Sequence, residues 1–184
     1  MRARTAQSAL VFLGLAAAAI STAAQGFWLD VPFVRQEKDG CGAAAIAMVM
    51  QYWAKAQNLP PPPAADPHRI QQTLASKAAK GIFASAMEGY LKQAGFQVFP
   101  FKGEWTDLEE HLRNGRPLIV SLKPRKHSAD LHYVVVAGLD SAGSDVFVND
   151  PEQRKLLRIE RAEFEKQWSE ADNWTLLALP AQKK

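Results

Sequence analysis

Gln36-Glu-Lys-Asp-Gly-Cys41-Gly-Ala-Ala-Ala-Ile-Ala-Met-Val-Met-Gln-Tyr-Trp53 carries the only cysteine of the chain, set between two glycines and directly ahead of an apolar run. Residues 43–52 are mostly strong helix formers, with neither proline nor glycine, and predict a helix that begins near Gly42. Its apolar residues fall on nearly every face, the pattern of a helix buried in a core. A thiol at the start of such a helix faces unpaired backbone N–H groups and the positive end of the macrodipole, which favour the nucleophilic thiolate. The flanking glycines permit a sharp turn and a close approach of a substrate carbonyl. Five residues upstream, Gln36 offers a side-chain amide that can donate to an oxyanion beside the sulfur. The competing reading makes Cys41 a small core hydrophobe, since free cysteine is among the most buried residue types.

Upstream, residues 1–24 read as an export signal and are set apart from the fold. Arg2 and Arg4 form a basic start, residues 9–20 an apolar run, and Ser21-Thr22-Ala23-Ala24 a small-residue end with cleavage expected after Ala24. The run is shorter than the roughly 18 residues of a spanning helix, although an uncleaved anchor is the alternative. No cysteine follows that run within the leader, which excludes a lipoprotein-type anchor. The expected product is residues 25–184, one domain, periplasmic or secreted, with no stable membrane insertion once the signal is removed.

Losing Arg2 and Arg4 takes the formal charge from +3 to +1. The basic stretch at residues 123–126 reads as a solvated loop, so no nucleic-acid partner is expected. One cysteine allows no internal disulfide, and an unpaired thiol in an oxidising compartment must be buried or used. The four histidines (68, 111, 127 and 132) are scattered without zinc spacing, so neither metal nor cofactor is expected.

Downstream of the cysteine helix, the prolines at 60–63 form a stiff surface connection. Asp66 caps a helix with Pro67 at its first position, running to about Lys77. Ser85-Ala-Met-Glu88 and Thr106-Asp-Leu-Glu109 read as capping boxes, opening helices that stop at Gly95 and at Asn114-Gly115. Residues 27–34 are an extended lead-in. Strands are predicted at 96–101, 118–122, 131–139, 145–149, 155–159 and 174–179, with a helix at 161–168. Helices come first and strands gather late, which argues for an α+β fold with an antiparallel sheet.

A thiolate needs a base, and the base an orienting group. His132 begins the strongest strand and Asp150 ends its hairpin partner. With Asp140 opposite Asp145, regular pairing sets His132 against Gln153, so twist or a bulge must bring Asp150 across. His127 is the rival base, and Asn149 the rival orienter, because neighbours on a strand face opposite ways.

Gln36, Cys41-Gly42 with its small-residue helix, His132-Tyr133-Val-Val-Val and Asn149-Asp150-Pro151 together resemble the bacteriocin-processing peptidases, family thirty-nine of the cysteine peptidases. The resemblance runs from about Val31 to Pro151. It implies a papain-like fold, with Gln36 as oxyanion donor, Cys41 as nucleophile, His132 as general base and Asp150 as orienting carboxylate. Gly40 departs from the pattern, which usually has Asp directly before Cys, and Asp39 lies one place earlier. No nucleotide-binding motif is present, and the leader exports the domain, whereas leader-processing domains act on the cytoplasmic side. Fold and chemistry therefore transfer further than substrate does. The reading is an exported cysteine peptidase acting on a peptide or protein. Its alternatives are an amidase or transferase with the same triad, and an inactive papain-like module that binds peptide or an envelope partner.

Overall fold

A computed structural model of the chain describes residues 26–124 and 131–181. The leader and His127 lie outside the described residues. Among the described residues, five α-helices and seven strands follow one another as β1 Phe27–Trp28, α1 Cys41–Ala56, α2 Pro67–Leu74, α3 Ala84–Gln93, β2 Phe96–Lys102, α4 Trp105–Arg113, β3 Leu118–Leu122, β4 His132–Leu139, β5 Asp145–Asn149, β6 Leu157–Glu160, α5 Arg161–Ser169 and β7 Trp174–Pro180. The expected α+β architecture is therefore present, with helices dominating the first half and an antiparallel sheet the second.

The sheet runs β2-β7-β3-β4-β5-β6, with β1 paired to the far end of β4. Its central strands are apolar on both faces because both faces are covered. Tyr133, Val135 and Ala137 point to the side where α1 packs, joined there by Ile119, Leu176 and Ala178. Val134 and Val136 point to the other side, against Leu108 and Leu112 of α4 and Phe164 and Trp168 of α5. The period-two alternation of a strand thus serves two cores at once. Helix α1 is buried without interruption from Gly42 to Met50, as its all-round apolar pattern predicts.

Gly138 is where β1 crosses closest. A Cβ there would lie 2.6 Å from Trp28 Cβ and 2.7 Å from the Phe27 carbonyl oxygen. Gly138→Ala is therefore expected to destabilise the fold by about 1–3 kcal/mol, as overpacking does. A urea midpoint unchanged from the parent would refute that crowding.

The local helix signals are only partly realised in the fold. Asp66 caps α2 as expected, accepting from the Arg69 N–H at 3.0 Å, but the helix stops at Leu74. The box at Ser85 does not form: α3 starts at Ala84 with Phe83 in the capping position and no side-chain cap. Buried Ile82, against which Gly42 is closely packed, sets the entry to that helix instead. The box at Thr106 is displaced two residues upstream, where Glu104 and Asp107 cap each other reciprocally. Trp105 must enter the first turn to reach the core, and its indole N–H occupies Glu109 at 2.9 Å.

Candidate active site

Residues 37–40 form a turn, closed by Gly40 N–H donating to the Glu37 carbonyl at 3.0 Å, with Asp39 in the left-handed region at φ 56°. This turn delivers Cys41 as the first residue of α1, half-buried at the mouth of the helix. A Cβ at Gly40 would meet the Glu37 carbonyl oxygen at 3.0 Å, so this turn is built for glycine before the cysteine. The departure noted at that position is a property of the turn.

His132 opens β4 opposite Leu122, and its Nε2 lies 2.8 Å from Asp150 Oδ1. Two features close the gap left by regular pairing. The β4–β5 register slips by one residue between Val136 and Gly138, a bulge of the kind the pairing requires. The chain then leaves β5 after Asn149 and turns, with the Asp150 carboxylate at the centre of that turn. It accepts from Glu152 N–H at 2.9 Å and from Gln153 Nε2 at 2.7 Å. Asn149 points the other way. Fully buried, it donates to the Val31 carbonyl at 3.1 Å and accepts from Leu156 N–H at 3.0 Å. Of the two residues left open by the sequence, Asp150 is the one that meets His132.

Cys41 lines the same cleft as His132 and acts electrostatically on its imidazole. With Nε2 committed to Asp150, Nδ1 remains for the sulfur. Burial pushes the His132 pKa down, but the hydrogen bond and charge of Asp150, with a further share from Cys41, outweigh it and lift it from 6.5 to about 10. Burial works to raise Asp150, yet its hydrogen bond to His132 holds the carboxyl below its usual value. A raised histidine contributes stability fully below pH 6.5 and loses it as pH climbs through about 10. A lowered carboxyl contributes above its ordinary 3.8 and loses that share as pH falls through its folded value.

Gln36 arrives on the lead-in, which is strapped to the turn that bears Asp150. Its N–H donates to the Pro151 carbonyl at 2.9 Å, and the Arg35 guanidinium donates to the carbonyls of Glu152 and Gln153 at 3.3 and 3.1 Å. With Asn149 gripping Val31, three straps hold Gln36 and Asp150 in one rigid corner. Sequence reasoning missed Arg35 and Asn149 in these positioning roles, since long-range bonds to backbone leave no local signal. The Gln36 side-chain oxygen is buried without a hydrogen-bond partner among the described residues, the kind of exception that concentrates at functional sites. Gln36, Cys41, His132 and Asp150 all line one cleft of about 740 Å³, walled further along by Leu157 and Ile159 of β6. Among the described residues no three His, Cys, Asp or Glu side chains converge to hold a metal ion.

The fold places the chain among the papain-like cysteine peptidase domains. The sequence profile described as "Peptidase_C39 like family" matches residues 28–175, and the chain belongs to that family. A C39-like peptidase from Bacillus anthracis superposes with a TM-score of 0.66 at 15% identity, covering 86% of this chain and 100% of the other. A double glycine motif protease from an AMS/PCAT transporter, solved with its leader peptide, gives 0.63 at 21% identity, covering 85% and 99%. The peptidase domain of Streptococcus ComA, a bifunctional ABC transporter, gives 0.62 at 21% identity, covering 80% and 97%. At these identities the likeness is one of fold. A search of curated proteins finds no match.

Proposed function

We propose that this chain is an exported cysteine peptidase that hydrolyses peptide bonds with Cys41, His132, Asp150 and Gln36. The observation that carries the reading is the His132–Asp150 hydrogen bond at 2.8 Å, held in one cleft with Cys41 at a helix mouth and with Gln36. The Cys41 thiolate, paired with the His132 imidazolium, attacks the peptide carbonyl carbon. The carbonyl oxygen becomes an oxyanion, met by Gln36 Nε2–H and the Cys41 backbone N–H at the helix mouth. His132 gives its proton to the departing amine, leaving a thioester on Cys41. Water attacks the thioester with His132 taking its proton, and the carboxylic acid leaves. Asp150 keeps the ring oriented throughout. A peptide substrate agrees with the leader peptide bound to the double glycine motif protease.

Incubating residues 25–184 with a peptide library and reading new termini by mass spectrometry tests the activity. Hydrolysis is expected, and complete absence of new termini would overturn the reading. Gln36→Ala should lower kcat about 10²–10³-fold with little change in KM, the usual effect of removing one oxyanion donor. An unaltered kcat would remove Gln36 from the mechanism.

Export rests on Arg2, Arg4, the short apolar run and Thr22-Ala23-Ala24. N-terminal sequencing of protein made in a bacterium with its own leader should begin at Gln25. An intact Met1 on a membrane-bound product would make the segment an anchor instead.

A further inference from the structure

A second hollow, of about 390 Å³, adjoins the catalytic cleft at Leu131, which lines both. It lies on the opposite flank. The cleft with His132 extends toward β5 and β6, whereas the hollow is built from β4, β3, β7 and β2. Its walls are aromatic and aliphatic: Tyr133, Trp174 and Phe101, with Ala84 and Ala171 leaving the space open. Tyr133 follows His132 on β4, and its ring is fixed edge-on to Trp174 with centroids 5.4 Å apart. It also lies against the mouth of α1, within 3.5 Å of where a Gly42 Cβ would be. One wall of the hollow, Tyr133, thus packs against the residue that follows Cys41.

Besides the Lys102–Asp172 pair at its rim, the hollow is lined by the polar Ser121. Ser121 pairs with Tyr133 across β3 and β4, so both side chains share a face. The residue is 1% exposed, and its hydroxyl has no hydrogen-bond partner among the described residues. Burying a hydroxyl unpaired is costly, so a ligand that supplies a partner gains directly. At the rim, Lys102 and Asp172 pair with each other at 3.2 Å, which leaves the mouth without an unbalanced charge to select an ionic side chain.

The direction of the chemistry says which half of a substrate comes here. The leaving amine must stay near the imidazole that protonates it, on the β5 and β6 flank. The acyl half of the peptide then runs the other way, across Leu131 to the hollow. We infer, resting on the peptidase reading above, that this hollow is an acyl-side specificity pocket that takes an aromatic side chain with a hydroxyl tip, tyrosine ahead of phenylalanine, from one of the two residues preceding the scissile bond. The ring packs among Tyr133, Trp174 and Phe101, and the phenol exchanges a hydrogen bond with Ser121 Oγ.

Acetyl-dipeptidyl chloromethyl ketones test this, with tyrosine, phenylalanine or glycine at each of the two positions and alkylation of Cys41 followed by intact mass. Rates are normalised to iodoacetamide, which fills no pocket. Tyrosine at one position should react at least tenfold faster than glycine and several-fold faster than phenylalanine. Ser121→Ala should erase the advantage of tyrosine over phenylalanine while keeping both above glycine. Ala84→Trp, at a half-buried helix start, should fill the space and collapse the aromatic preference at least tenfold. A di-glycine reagent as fast as the tyrosine reagents in the parent overturns the pocket but leaves the peptidase reading standing. If iodoacetamide and every ketone react no faster with the parent than with His132→Ala, the catalytic reading and the pocket fall together.

Discussion

Cys41→Ala is expected to fold as the parent does and to lose peptide hydrolysis by about four to six orders of magnitude, the effect of deleting a nucleophile from a cooperating set. The separation of the two effects follows from where the residue sits. Cys41 stands at the mouth of α1, half-buried, while the unbroken buried stretch begins only at Gly42. Trimming its sulfur should therefore shift stability by less than about 1 kcal/mol, as for substitutions outside a packed core. Release of new termini from the peptide library and the urea midpoint measure the two quantities side by side. Retained hydrolysis would end the nucleophile assignment. A large loss of stability with hydrolysis intact would return Cys41 to the role of core hydrophobe.

The second large effect concerns the histidine and its carboxylate, which should not be equivalent. His132→Ala removes the proton carrier and the positive partner of the thiolate, and kcat/KM should fall by about three to four orders of magnitude, the upper part of the range for proton-transfer catalysis. Asp150→Asn keeps an oxygen that can accept from the His132 Nε2–H, so its catalytic loss should be about 10–10²-fold. The amide pays elsewhere. The second carboxylate oxygen accepts from Gln153 Nε2, and an amide nitrogen in its place cannot, so the turn should lose about 1–3 kcal/mol for that group left unpaired. Kinetics and denaturation of both variants check this. A catalytic loss in Asp150→Asn as deep as in His132→Ala would give the carboxylate more than an orienting role.

The parts of the fold legible beforehand were those with a strong repeating pattern. The all-round apolar sequence of α1 and the run at β4 announce burial on every side, and both lie at the centre of the structure. Helix starts were less legible where tertiary contacts outvoted local chemistry. Buried Ile82 and Trp105 decide where α3 and α4 begin, and the sequence signatures at Ser85 and Thr106 could not reveal that competition. The meeting of His132 and Asp150 required a departure from regular pairing. Its need could be deduced from the hairpin count, but its form, a one-residue slip plus a turn after Asn149, rests on contacts such as Asn149 to Val31 that span 118 residues. Arg35 and Asn149 were invisible as positioning residues for the same reason, and the hollow beside Tyr133 assembles from four strands distant in sequence.

The thiolate–imidazolium pair is the centre of the account, and the pH dependence of Cys41 alkylation by iodoacetamide tests it most directly. If the Cys41 thiolate is paired with the His132 imidazolium, the parent should alkylate rapidly at neutral pH, along a plateau. His132→Ala should show no plateau, its rate climbing with pH as that of a free thiol does, while His127→Ala should follow the parent. Superimposable profiles for the parent and His132→Ala, or a plateau lost only in His127→Ala, would contradict the assignment of His132 as partner of Cys41.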